Sequence, residues 1–317
     1  MVEYSDVSGV EVEVPQLVRE RALAAGDVGL RWLGELGEVV AELQRVWELE
    51  LGAVYRGGTA GYVVAGRDRS GRDVVLKVAM PLDDEEVAGF ARSAAVHRLA
   101  DGRGCARLLA LDGPRSAMLL ERLGPNLEEL GLPLDDLLQV VATTLRSFWR
   151  PVDHGVSLPT GAEKAAWLAV LIVTTWEQLG RPCPRTVMDR AVAYCDERAA
   201  AFDWERAVLV HGDAHGWNTV SSGDGGYKFV DPEGVWSEPE QDLGVPMREY
   251  NVPLLGGDTS RLVRERAESL ASWCDVDAEV VWQWGYIERV STGLLNLRDF
   301  ADDAQAMSFL EVASRSR

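Results

Sequence analysis

The spacing of apolar residues changes as the chain proceeds. Between residues 15 and 47, Leu17, Ala22 and Leu23, then Leu30, Leu33, Val39, Val40, Leu43 and Val46, recur at steps of three and four. That period predicts two helices, broken near Gly26. From 51 to 80, LGAVYRGGTAGYVVAGRDRSGRDVVLKVAM replaces it with short β-branched runs divided by Gly-Gly, Gly-Arg-Asp and Ser-Gly, the pattern of consecutive hairpins. Val87, Phe90, Ala94 and Leu99 restore a helical spacing over 84–100, and two short strands are expected near 106–111 and 116–122. After Gly124-Pro125, helices are expected over 126–131, 134–149, 162–180, 184–202 and across 258–315, with a strand–loop–strand unit at 207–234. The fold class is therefore α+β and two-lobed: a β-rich N-terminal lobe over 1–123 and a mainly helical C-terminal lobe over 124–317. A cleft between such lobes is the expected ligand site.

Composition narrows the class of partner. Acidic residues number 51 against 32 basic ones, a formal charge of −19. Such a chain repels phosphate backbones, so neither nucleic acid nor an anionic membrane is expected as a partner, whereas a cationic small molecule suits this field. The opening stretch MVEYSDVSGVEVEVPQLVRE scatters carboxylates where a signal segment needs a basic start, and the apolar run Ala165–Trp176 is too short to span a bilayer. A cytoplasmic monomer is expected. Cys105, Cys183, Cys195 and Cys274 form no CxxC and read as unpaired thiols.

The chemistry concentrates in His211-Gly212-Asp213-Ala214-His215-Gly216-Trp217-Asn218, directly after the apolar strand Ala207–Val210. A second strand, Tyr227–Val230, delivers Asp231. Phosphoryl transfer from Mg-ATP needs one carboxylate to orient the attacking hydroxyl, and an Asn and a second carboxylate to hold the metal that bridges the phosphates. Mg²⁺ keeps several waters, so few protein oxygens suffice. Asp213 is thus the candidate base, and Asn218 and Asp231 are the candidate Mg²⁺ ligands. An Asp and an Asn could instead cap turns after the strands; the ordered pattern between two strands favours chemistry.

HGDxxxxN followed by a strand and Asp resembles the signature of the aminoglycoside phosphotransferases, relatives of the protein kinases. Together with VPQLVRERA, GGTAGYVV, VVLKVAMP, DGRGCARLLALD, LVHGDAHGWNTV and FVDPEGVWSEPEQDLG, it is similar to the branch of streptomycin 6-phosphotransferases and hydroxyurea kinases. The likeness runs from about residue 13 to residue 300. It implies a protein-kinase-like fold and an antibiotic-resistance kinase using ATP and Mg²⁺, with His211 holding the loop and Asp242 structural.

On the nucleotide side the resemblance implies Gly57, Gly58 and Gly61 near the phosphates, Lys77 as the phosphate-binding lysine, and backbone groups of Glu121 and Leu123 against adenine. The glycines could equally make a hairpin turn. A kinase lysine is usually paired with a helix glutamate; the aligned position falls near Phe90 or Ser93, so Glu86 serves or the pair is missing. For substrate, Glu233, Glu238, Glu240, Glu249 and Glu288 could hold cationic groups. Trp217 and Trp236 could stack on the substrate or fill core, while Trp273, Trp282 and Trp284 read as helix packing. Streptomycin-like aminoglycosides are the first expectation, and basic peptides such as viomycin and capreomycin the second. A metabolite kinase and a non-catalytic nucleotide-binding module stay open.

Overall fold

The computed structural model describes residues 12–58, 61–299 and 303–316. The chain divides into two compact units: Met1–Gly102 with Ala106–Leu123, and Arg103–Cys105 with Gly124–Arg317.

In the first unit, α1 (Gln16–Ala24) and α2 (Asp27–Val46) are divided at Gly26, whose φ of 64° lies in the left-handed region open to glycine. There follow β1 (Glu50–Val54), β2 (Gly61–Arg67), β3 (Asp73–Ala79), α3 (Asp84–Ala100), β4 (Leu108–Asp112) and β5 (Ala117–Glu121). The strands form one antiparallel sheet in the order β1-β2-β3-β5-β4. Leu36, Val40 and Leu43 of α2 share a core with Tyr62, Val64, Val74, Leu76, Val78, Ala117 and Leu119, so the expected amphipathic helix finds its partner in the sheet. Trp32 Nε1 donates to Ala79 O at 3.0 Å and ties α2 to the end of β3.

The second unit begins with α4 (Leu127–Leu130), α5 (Leu134–Phe148), α6 (Gly161–Gln178) and α7 (Arg185–Ala200). Two ribbons follow: β6 (Val208–Val210) pairs with β9 (Val235–Ser237), and β7 (Thr219–Ser221) with β8 (Tyr227–Phe229). The unit closes with α8 (Glu240–Arg248), α9 (Asn251–Leu255), α10 (Thr259–Cys274), α11 (Ala278–Asp299) and α12 (Asp303–Arg315). The apolar spacing predicts no element over 235–257. Every residue of α8 from Glu240 to Met247 is buried, and Pro246 stands inside it, so it carries no amphipathic period to read. Two glycines bring α8 and α11 together. A Cβ on Gly244 would lie 3.0 Å from Trp284 Cβ, and one on Gly285 2.5 Å from Met247 Cβ. The four cysteines are buried free thiols. Among the described residues no helix is long and apolar enough to cross a membrane.

Candidate active site

The motif 211–218 bridges the two ribbons of the second unit: it leaves β6, turns through Gly212 at φ 90°, and ends in a 3-10 turn, Gly216–Asn218, that enters β7. Asp242 of α8 holds its entry. Fully buried, it accepts the main-chain N–H of His211 and the indole N–H of Trp149 on Oδ2, and the N–H of Gly212 on Oδ1, each at 2.8 Å. Burial pushes this carboxyl up to about 6, against the pull of those donors.

His211 is buried between the rings of Phe148 and Phe229. Its Nδ1 accepts the Asp213 N–H at 3.2 Å, which leaves Nε2 as the donor to Val230 O at 3.0 Å. Burial pushes the imidazole down to about 4, so at neutral pH it is an uncharged brace between the motif and the end of β8.

Asp213 projects past this brace with its carboxylate partly exposed. Its Oδ1 accepts from Arg248 Nη2 at 2.8 Å, and its Oδ2 lies 3.2 Å from both His215 Nε2 and Asn218 Nδ2. Burial alone would raise its pKa; the His215 hydrogen bond and the Arg248 charge outweigh that and hold it well below the usual carboxylate range. Conversely, burial opposes charge on His215, but the hydrogen bond and charge of Asp213 lift its pKa above the ordinary value.

Asn218 Nδ2 also donates to Asp213 O at 3.0 Å. Committing the amide nitrogen to Asp213 turns the amide oxygen away from that carboxylate. Val230 N donates to Asn218 O at 2.9 Å, which places Asp231 one residue beyond a direct bond to Asn218. Asp231 is exposed and holds φ at 56°, an uncommon conformation for a residue other than glycine. An amide oxygen and a carboxylate are donors of the kind that suit Mg²⁺, which keeps several of its waters.

The expected substrate acids separate. Glu249 and Glu288 meet Arg248, at 2.9 Å each, and Glu233 pairs with Lys164 Nζ at 3.1 Å. Glu238 lies elsewhere: buried, it accepts from Trp284 Nε1 at 2.7 Å and faces Arg198. Glu240, also buried, faces Arg206. Trp236 is core, but Trp217 is 62% exposed in the motif itself. Behind it, Tyr250 donates to Glu128, and both crowd Gly216. Sequence reasoning missed His215, Arg248, Lys164, Glu128 and Tyr250. His215, two positions from Asp213, was open to notice; Arg248, Glu128 and Tyr250 meet the motif, and Lys164 meets Glu233 beside it, from distant parts of the chain that leave no local pattern.

In the first unit, Gly57 and Gly58 are exposed between β1 and β2, where an added Cβ would meet open space. Thr59 and Ala60 of this segment lie outside the described residues. Gly61 answers to strand packing, since a Cβ there would strike Val78 O and stand 2.9 Å from Ala79 Cα. Lys77, half-buried on the face of Val75 and Ala79, pairs in register with Val63 and Met118. Glu86 is engaged by Arg21 and by the Leu82 N–H at 3.1 Å. Glu121 accepts the Arg107 N–H on its side chain at 2.8 Å, and half-buried Leu123 follows just past β5.

Comparison with known proteins supports a kinase-like reading. A family model described as aminoglycoside/hydroxyurea antibiotic resistance kinase matches residues 47–299. Streptomycin 6-kinase of Streptomyces glaucescens is 27% identical, over 91% of this chain and 92% of its own. Hydroxyurea phosphotransferase of Kitasatospora aureofaciens is 29% identical, over 74% of this chain and 68% of its own. A solved thermostable variant of an aminoglycoside phosphotransferase, in ternary complex with ADP and hygromycin B, superposes with TM-score 0.57 at 16% identity, covering 87% and 97% of the two chains. That likeness bears out the α+β, kinase-like fold class.

Proposed function

The chain belongs to the aminoglycoside/hydroxyurea antibiotic resistance kinase family, and from that premise we propose that it moves the γ-phosphoryl group of ATP to a hydroxyl of a cationic, streptomycin-like antibiotic. It is thus an enzyme of the phosphotransferase class. One observation carries the mechanistic reading: Asn218 Nδ2 is bonded to Asp213, so base and metal-ligand candidates form a single oriented pair.

In this reading Asp213 orients the acceptor hydroxyl. The acceptor oxygen–phosphorus bond forms as the bond from γ-phosphorus to the β,γ-bridging oxygen breaks. ADP leaves, and the hydroxyl proton passes by way of Asp213 to solvent. The depressed pKa of Asp213 suits a group that positions the hydroxyl and takes its proton late, as a loose transition state allows. Asn218 and Asp231 would hold Mg²⁺, which when bound neutralises phosphate charge. Nucleotide contacts are assigned to Lys77, Gly57, Gly58, Gly61 and the backbone of Glu121 and Leu123. Glu233, Glu249 and exposed Trp217 are assigned to the antibiotic's cationic groups.

The test is mass spectrometry of purified protein with Mg-ATP and, separately, streptomycin, viomycin, capreomycin, hydroxyurea and choline. One phosphoryl group gained on streptomycin, and none with Asp213→Ala, is expected. Transfer to viomycin or capreomycin instead would move the substrate to the basic peptides, and to choline, to metabolites. Nucleotide binding without transfer to any of them would sink the catalytic reading.

A further inference from the structure

Arg248 ends α8, its side chain 13% exposed, and its three guanidinium nitrogens each meet a different carboxylate. Nη2 lies 2.8 Å from Asp213 Oδ1, Nη1 2.9 Å from Glu288 Oε2 and Nε 2.9 Å from Glu249 Oε1. The acids come from three places: the loop after β6, α11, and the residue just past α8. Three carboxylates this close raise one another's pKa unless a shared cation offsets the repulsion.

The backbone beneath Arg248 is held as firmly. A helix end leaves its last carbonyls without partners. Here Arg266 donates to Glu249 O at 2.5 Å, while Arg289 donates to Arg248 O at 3.2 Å and also to Met247 O. One helix therefore grips the motif twice, through Asp242 on its backbone and Arg248 on the Asp213 carboxylate. A carboxylate offers about four lone-pair positions. Arg248 takes one on Oδ1, and His215 and Asn218 lie against Oδ2. The position left over is on Oδ1, beside the guanidinium.

We propose that Arg248 is a positioning residue for phosphoryl transfer, fixing the Asp213 carboxylate so that Oδ1 presents its remaining lone pair to the acceptor hydroxyl. This rests on the reading of Asp213 given above. The bonds made and broken are those of the transfer itself; Arg248 stays protonated and exchanges nothing.

The experiment compares wild type, Arg248→Ala, Arg248→Lys, the double variant Arg248→Ala/Glu288→Gln, and Asp213→Ala, with streptomycin and Mg-ATP. Arg248→Ala is expected to lose roughly 100-fold in kcat, as a displaced catalytic group does, with KM for both substrates little changed. Arg248→Lys recovers part of the loss, because an ammonium cannot meet three acids in a plane. Millimolar guanidinium chloride restores turnover saturably in Arg248→Ala and not in Asp213→Ala. The double variant removes the carboxylate that Arg248→Ala strands in the interior, so it reports kcat in a folded protein; it is expected to stay slow. Wild-type kcat in either Arg248→Ala protein, or no response to guanidinium, would overturn the proposal while an inactive Asp213→Ala leaves the kinase reading standing. A wild type inert toward streptomycin, or an Asp213→Ala protein as active as wild type, would overturn both.

Discussion

Asp242 Oδ2 accepts the main-chain N–H of His211 at 2.8 Å, so an acid on α8 carries the backbone of a motif far from it in the chain. The same carboxylate takes the N–H groups of Gly212 and Trp149. Asp242→Ala leaves these buried donors unpaired, at about 1–3 kcal/mol each. A fall of several kcal/mol in urea-unfolding free energy is expected, with kcat lost in the fraction that stays folded. A variant as stable as wild type would show that the bonds are dispensable.

The same pair predicts a pH dependence. His211 has its pKa depressed to about 4 from 6.5, so the native state binds fewer protons than the unfolded state between those values. Its contribution is complete above pH 6.5 and drains away as pH falls to 4. Asp242 has its pKa raised to about 6 from 3.8. Its contribution is complete below 3.8 and is lost as pH rises through 6. Each is worth about 3 kcal/mol, and over the shared window they oppose one another. Asp242→Asn cannot titrate, so its stability is expected to fall about 2 kcal/mol further than that of wild type between pH 6.5 and 4. Urea titrations across that range check it; parallel curves would contradict it.

Gly216 predicts a geometric effect. A Cβ there would strike the Glu128 carboxylate and stand 2.9 Å from the Tyr250 hydroxyl. Both neighbours are ends of side chains, so Gly216→Ala should push the Glu128 carboxylate off the Tyr250 hydroxyl, lowering stability by about 1 kcal/mol and kcat by far less than the roughly 100-fold of a displaced catalytic group. Adding Glu128→Ala makes room for the methyl group and should return part of the activity. Equal kcat in the two variants would rule out this contact as the cause.

Trp217 is exposed, so Trp217→Ala should leave stability within about 0.5 kcal/mol of wild type. If its ring faces the antibiotic's cationic groups, KM for streptomycin rises about 2- to 5-fold, the worth of an exposed cation–π contact. Trp217→Phe should fall between. Unchanged kinetics in both would remove Trp217 from the substrate site.

Read alone, the sequence determined the local elements and the family. The period of α2, the glycine-punctuated hairpins and the order Asp213, Asn218, Asp231 all lie within short windows, where backbone preference and spacing are expressed directly. It also marked Glu233 and Glu249 as acids near the motif, but not the cations they meet. Only the tertiary structure decided that Arg248 and Lys164 each meet one of these acids while leaving it partly exposed, that Glu238 packs away against Trp284, and that α8 exists as a helix buried along its length. The reason is physical. A buried helix has no exposed face to impose a period. An ion pair between residues 35 positions apart, as Arg248 and Asp213 are, depends on where two backbones are brought to rest, here by glycines that let α8 and α11 touch.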